Sequence, residues 1–399
     1  KVCFSLCAYM VKEKASFSIV PFLRITPFVY SHICPADRCL RGVCFFADRG
    51  TITGKSQREN LTMWGIAIVG CFAAVIALIP PVCRLAWRIG AVDVPHDWRR
   101  MHTDSVPRAG GIAMLAAIGA CWFLFCPHTV SLAAGLAGGL AVFCIGLADD
   151  IRPLPAGARL GVQLLAATVA AIGSGTGAGV GLFPAVLWLV ALTNAHNMID
   201  GLDGLFAGTA TVEGVGIALV LALSGAGDRA LQPLLISAAC LGFLRYNRPP
   251  AKIFAGDCGS GAVGFLLGFS ALPALEAPIW RLGILAPLFV FAYPLTDMTA
   301  AVVRRVLGGK SPFAADRAHL HHRISAMGLS VASTAAVLVA LTAVLTLCGV
   351  LLTREEYALG AVGGALGAVL FLLVTRYALV RSAYLHGNGA KRRKNVRNT

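Results

Sequence analysis

Asn194-Ala-His-Asn-Met-Ile-Asp-Gly-Leu-Asp-Gly-Leu205 packs two amides, two carboxylates and a histidine into twelve residues. The sequence on both sides of it is oily, from about Gly181 up to the stretch and from Leu205 onward. Carboxylates and amides are costly beside a hydrocarbon layer and are kept there for a functional reason. The fold is therefore read from the apolar runs, and the function from the polar residues that interrupt them.

Working outward, 57% of the 399 residues are apolar and 13% charged, with a mean hydropathy of +0.75; an ordinary soluble chain carries about 25% charged residues. Runs near the ~20 residues needed to cross a bilayer recur from Met63 to Val380. They are apolar all round and do not alternate, which argues against a membrane β-barrel. We expect an all-α polytopic membrane protein of about eleven spans, near 64–83, 110–126, 130–148, 158–173, 181–195, 205–224, 230–244, 258–275, 282–303, 331–352 and 358–380. Residues 63–380 would form this unit, followed by a basic tail over 381–399.

The net charge of +15 looks at first like a nucleic-acid signal, but its distribution argues otherwise. Of the 25 Lys and Arg after residue 62, only Arg229, Arg281 and Arg354 follow even-numbered spans. The other 22 gather at the opposite face, and positive residues mark the cytoplasmic side. The core should start outside and end inside, with no nucleic-acid partner. Every polar motif then falls at the inner end of an odd-numbered span.

Each motif has a functional and a plainer reading. Asp149-Asp150 closes the third span; neighbouring carboxylates repel, and a bound Mg2+ or a cationic partner relieves that, unless the pair is a solvated turn. Asn194 and Asn197, like Asp200 and Asp203, are three apart and would share a helix face. Four such groups exceed what backbone capping requires. Phe254-Ala-Gly-Asp257-Cys-Gly-Ser-Gly261 is a small-residue turn that can approach phosphate, although Asp257 could simply cap the next helix. His319-Leu-His-His322-Arg323 offers imidazole and guanidinium groups to a pyrophosphate, or is a solvated basic loop. Asp297, near the inner end of the ninth span, is either functional or paired with Arg304 or Arg305. None of the thirteen Cys shows a zinc or disulfide pattern.

Five elements in order carry a resemblance: Val92-Asp-Val-Pro95 with Arg100-Met-His102 and Val106-Pro-Arg-Ala-Gly-Gly111; Leu147-Ala-Asp-Asp150; Asn194 to Leu205; Ile253-Phe-Ala-Gly-Asp-Cys-Gly-Ser260; and His319-Leu-His-His322. Over about 63–329 the chain resembles the polyprenyl-phosphate N-acetylhexosamine-1-phosphate transferase superfamily, closest to the bacterial undecaprenyl-phosphate GlcNAc-1-phosphate transferases. The His element is split by Leu320 and followed by Arg323, which resembles this branch and not the phospho-MurNAc-pentapeptide branch with its consecutive histidines.

The resemblance implies transfer of an N-acetylhexosamine-1-phosphate, GlcNAc-1-phosphate first among the candidates, from a UDP-amino sugar to polyprenyl phosphate. The reaction would start a cell-envelope polysaccharide at the cytoplasmic face of the bacterial inner membrane. It implies Mg2+, with Mn2+ as a substitute, held by Asp257 with Asp150 and Asp200. Catalytic roles fall to Asp149, Asp150, Asp200, Asp203 and His322. Substrate contacts fall to Asn194, Asn197, Phe254 (stacked on uracil), His319, His321, Arg323 and Arg108. The implied partners are the nucleotide sugar, the lipid, the membrane and a second copy in a homodimer. A lipid phosphate is already largely ionised at neutral pH, its second pKa lying near 6, so direct attack is favoured over a phospho-aspartate. The rival class is a transporter or flippase, which generally places its site at the bilayer midplane in repeated halves.

Residues 1–62 have no counterpart in this pattern, and Pro21, Arg24 and Pro27 interrupt their best apolar stretch. We expect them to lie outside the core, with Met63 as the natural start; a regulatory extension is the alternative.

Overall fold

The computed structural model describes residues 54–93, 105–175, 181–276, 285–312, 319–353 and 365. Among them, helices occupy ten of the eleven expected spans: α1 (Gly54–Ile89), α2 (Gly110–Phe125), α3 (Val130–Ile151), α4 (Ala156–Ser174), α5 (Leu182–Ile199), α6 (Leu205–Leu223), α7 (Leu231–Asn247), α8 (Gly256–Ala271), the pair α9 (Ala286–Val290) and α10 (Ala292–Leu307), and α12 (Val331–Leu352), with the short α11 (Leu320–Ser325) before the last. The expected span at 358–380 lies outside the described residues. Helix α1 begins at Gly54, ahead of Met63.

Seven of these helices are long and apolar enough to cross a membrane: α1, α3, α4, α5, α6, α8 with its 3-10 extension to Glu276, and α12. Helix α2 has 16 residues and α7 has 17. The expected ninth span is broken at Phe291, where α9 stops and α10 begins. Pro294 has no N–H for the carbonyl of Val290, so a continuous helix cannot carry its ladder through this point. The all-helical expectation also needs one amendment: Val92–Asp93 and Val106–Pro107 form a two-residue antiparallel pair, β1 and β2, between α1 and α2.

Helix α8 is the axis of the bundle, in contact with α2, α3, α5, α6 and α7. All its residues are buried except Asp257. It can sit there because small residues stand on one side or the other of its contacts: its own glycines face α2 and α5, while Gly135, Gly138 and Gly139 of α3 face its Phe269, Phe265 and Leu266. A Cβ on Gly111 of α2 would collide with the Gly259 backbone, and one on Gly264 would lie 2.6 Å from the Leu192 carbonyl of α5. Close backbone approach through small residues is how helices gain contact in a medium as apolar as their side chains. Helix α12 covers α6, α9, α10 and α11 on the other flank. Thr129 and Ser330 cap α3 and α12, their hydroxyls accepting the N–H groups of Leu132 and Ser333 at 3.1 Å each.

Candidate active site

The five polar segments meet. Phe254 donates its N–H to Pro107 at 2.8 Å and accepts from Gly110 at 2.9 Å, which joins the β2–α2 segment to the α7–α8 loop. Asp203 accepts the Ala251 N–H at 2.9 Å, and Asn247 accepts the Gly204 N–H while donating to Ile253 O, both at 3.0 Å. These bonds tie the α5–α6 turn to the same loop. Helix α5 ends at Ile199, so Asp200 and Asp203 do not share a helix face as their spacing suggested. Gly204 adopts φ +76°, which helps turn the chain out of α5 into α6.

The two adjacent aspartates point to different partners. Asp150 is buried, and its two oxygens accept the N–H groups of Asp257 at 2.9 Å and Cys258 at 3.0 Å. It therefore caps α8 from outside that helix, placing a carboxylate at the positive end of the dipole. Asp257 is left free of the capping role the sequence allowed it. Asp149 accepts the Leu154 N–H at 2.6 Å and an Arg159 N–H at 2.8 Å.

Arg159, on the first turns of α4, is the residue that sequence reading missed. Its Nη1 lies 2.8 Å from Asp149 Oδ2 and 2.8 Å from Asp257 Oδ2, bridging the end of α3 to the start of α8. Arg108 approaches from the other side, 3.4 Å from Asp150 Oδ1 and 3.5 Å from Asp257 Oδ1. Burial works against its charge, but Asp150, Asp257, Asp93 and Asp200 raise its pKa above the ordinary arginine value. Asp200 carries the opposite strain: burial, then the negative charge of Asp257, holds its carboxyl well above the usual range.

A cavity of about 140 Å3 opens beside this cluster, lined by the polar side chains of Arg159, Asp257, Asn197, Asn194 and Gln163. Val142, Ile145 and Leu160 line it as well, so its wall is part polar and part apolar. Asn194 donates to Gln163 Oε1 at 2.8 Å and to Val190 O at 2.8 Å. Gln163, one turn beyond Arg159, is buried in an apolar helix. A buried amide at that position was the available sign that this face of α4 belongs to the site.

The histidine segment docks against the same region. Asp297 pairs with neither Arg304 nor Arg305 as the sequence reading allowed. It accepts from His319 Nδ1 at 3.0 Å and from the Leu320 N–H at 2.9 Å, fixing the start of α11. His321 is buried beside Gly201 and stacks on His319 with ring centroids 5.6 Å apart. Neither of its ring nitrogens has a partner among the described residues. Burial, and then the neighbouring His322, push its pKa down to about 3, so the ring is neutral. His322 lies beside it at 4.2 Å between centroids, and the Arg323 N–H donates to His319 O at 3.1 Å.

Among the described residues, no three His, Cys, Asp or Glu side chains converge closely enough to cage a metal ion. The donor set present is one or two carboxylates and an amide beside an open cavity. That suits a hard ion such as Mg2+, which keeps several waters and completes its shell with substrate phosphates, and it does not suit a softer metal in a closed site.

Comparison with known proteins identifies the family. Residues 132–274 match glycosyl transferase family 4, a region running from α3 through α8. A probable undecaprenyl-phosphate N-acetylglucosaminyl 1-phosphate transferase of Bacillus subtilis (strain 168) is 34% identical over 291 residues, covering 68% of this chain and 80% of the relative. The chain belongs to glycosyl transferase family 4. Other family members at similar distance include a decaprenyl-phosphate N-acetylglucosaminephosphotransferase of Mycobacterium tuberculosis (strain H37Rv), 33% identical over 66% of this chain and 77% of the relative. An undecaprenyl-phosphate alpha-N-acetylglucosaminyl 1-phosphate transferase of Escherichia coli (strain K12) is 30% identical over 69% and 80%.

Proposed function

We propose that this family 4 member transfers GlcNAc-1-phosphate from UDP-GlcNAc to a polyprenyl phosphate. An oxygen of the lipid phosphate attacks the sugar-bearing β-phosphorus. A new P–O bond forms there, the P–O–P bridge breaks, and the bridging oxygen leaves with UMP. The observation that carries this reading is the cavity whose wall combines Asp257, Asn197 and Arg159 with apolar Val142, Ile145 and Leu160. Such a cavity accepts a charged head on a hydrocarbon tail.

Charge neutralisation dominates such a transfer, because both reactants are anions. Mg2+ bound at Asp257 would supply Lewis-acid stabilisation of the phosphoryl oxygens. The chain's own residues do the rest. Arg159 and Arg108 bridge the carboxylates, offset their mutual repulsion and offer N–H donors to phosphate. Asn197 donates to diphosphate or sugar oxygens, and Asn194, whose two N–H groups are held by Gln163 and Val190, offers its Oδ1 to a sugar hydroxyl. Phe254 stacks on uracil, and neutral His321 beside Gly201 offers one donor and one acceptor to the sugar. Direct attack is favoured because neither adjacent aspartate is a free nucleophile: Asp150 is spent on the α8 N-terminus and Asp149 on Leu154 and Arg159. The bacterial relatives support a bacterial membrane, and the distribution of Lys and Arg along the sequence supports eleven spans with the site on the cytoplasmic face.

The test is UMP release from UDP-GlcNAc by detergent-purified protein, with and without undecaprenyl phosphate and Mg2+. Release that needs both, and that falls at least about a hundredfold in Asp257→Ala, supports the reading. Release independent of the lipid would discard it.

A further inference from the structure

A single nitrogen, Arg159 Nη1, stands 2.8 Å from an oxygen of Asp149 and 2.8 Å from an oxygen of Asp257. These carboxylates come from different helices, the end of α3 and the start of α8, and Arg159 comes from a third, α4. Two carboxylate oxygens converging on one positive point is the arrangement they would make around a cation. The remaining Asp257 oxygen faces Arg108 at 3.5 Å. Both oxygens of the one unburied residue of α8 are thus engaged by guanidinium groups, and the second Asp149 oxygen is held by the Leu154 N–H.

We propose that Arg159 is the resident counter-cation of the substrate-free site and that a divalent metal ion displaces it from Asp257, sending its guanidinium into the adjoining cavity. The inference rests on the metal reading given above and adds a competitor to it. Arg159 already lines that cavity with Asn194, Asn197 and Gln163, so the displaced group needs only a rotamer change to reach it. There it meets an incoming phosphate, for which a planar guanidinium is a good bidentate donor. The same positive charge serves the carboxylates before the metal arrives and the phosphate afterwards. Metal affinity in the free enzyme is held down as a result, because two like charges compete for one pair of oxygens.

The experiment is Mn2+ binding to the full-length protein in detergent, without nucleotide or lipid, followed by electron paramagnetic resonance. Wild type, Arg159→Gln, Arg159→Met, Arg159→Lys and Asp257→Asn are compared, each first shown to be folded by size exclusion and melting temperature. Two neutral variants are included so that misfolding of one leaves the other. The expected result is Mn2+ binding about tenfold tighter in both neutral variants, within about threefold of wild type in Arg159→Lys, and lost in Asp257→Asn. A general loosening of the site does not produce tighter binding, so the gain separates competition from a structural role. Unchanged or weaker binding in both neutral variants, with Asp257→Asn still defective, overturns the exchange and leaves the metal site standing. Wild-type binding in Asp257→Asn removes the metal assignment and the exchange with it.

Discussion

His321 is a buried base with no partner on either ring nitrogen among the described residues, which makes acid its enemy. Its folded pKa is near 3, against an ordinary value near 6.5. The sign follows directly: above about pH 6.5 the ring is neutral in both states, while below it the unfolded chain takes a proton that the folded chain refuses. Stability is therefore lost as pH falls from about 6.5 toward 3, at up to about 1.4 kcal/mol per pH unit. His321→Gln should flatten the melting-temperature profile between pH 7 and pH 5; a profile as steep as wild type would mean that other groups set it. A second buried pair makes a different point. His196 Nε2 lies 2.7 Å from Glu213 Oε2, with Nδ1 2.9 Å from Leu192 O, and both residues are fully buried between α5 and α6. Nδ1 must donate to that carbonyl, so the bond to Glu213 holds one proton and the pair is neutral as a unit. His196→Ala should cost about 3–5 kcal/mol by stranding Glu213, and the double variant His196→Leu with Glu213→Leu should recover most of it in a denaturation series. If the double variant is no better than the single one, this pair does more than satisfy itself.

Helix α3 meets α8 at Gly146, where a methyl group would lie 2.6 Å from both Asp257 O and Cys258 N. That contact is one turn from Asp150, whose carboxylate holds those same residues. Gly146→Ala should push α3 off the start of α8, cost about 1–3 kcal/mol, and reduce activity by more than its effect on melting temperature alone explains. Gly70→Ala in α1, where nothing lies within 4 Å, is the control and should be neutral or slightly stabilising by helix propensity. Equal losses in both would refute the packing account. This is also the scale at which the sequence was most informative. All-round apolarity found the helices, and the polar residues at their ends are most of the side chains that meet in the candidate site. What stayed hidden depended on contacts between elements. Nothing in Asp149-Asp150 says that one carboxylate caps a helix a hundred residues on while the other faces an arginine. Arg159 lies ten residues beyond Asp149, across a turn, and reads as an ordinary boundary charge. The break at Phe291 was masked because the apolar run continues across it, from Ala286 to Leu295.

Across the whole molecule, large apolar side chains such as Val69, Phe123, Leu165, Phe183 and Leu187 stand more than half exposed, a surface that suits hydrocarbon and not water. The polar segments are gathered at the opposite kind of place: the ends of α3, α5 and α7 and the start of α11 come together through the hydrogen bonds around Asp150, Asp203, Asn247 and Asp297. The two patterns fix the axis along which the bundle must insert but not its direction, for which the 22 Lys and Arg give an expectation to be tested. Alkaline phosphatase is active only outside the cytoplasmic membrane, so a fusion at Ala226, after α6, should be active and one at Leu154, after α3, inactive. Green fluorescent protein at the same two positions should give the reverse. An active enzyme at Leu154 would place Asp149, Arg159 and Asp257 outside the cell. Nucleotide sugars are made inside, and a site facing outward could not draw its donor from that pool. The orientation experiment therefore bears on the chemistry as well as the topology: the proposed donor and the cytoplasmic face stand or fall together.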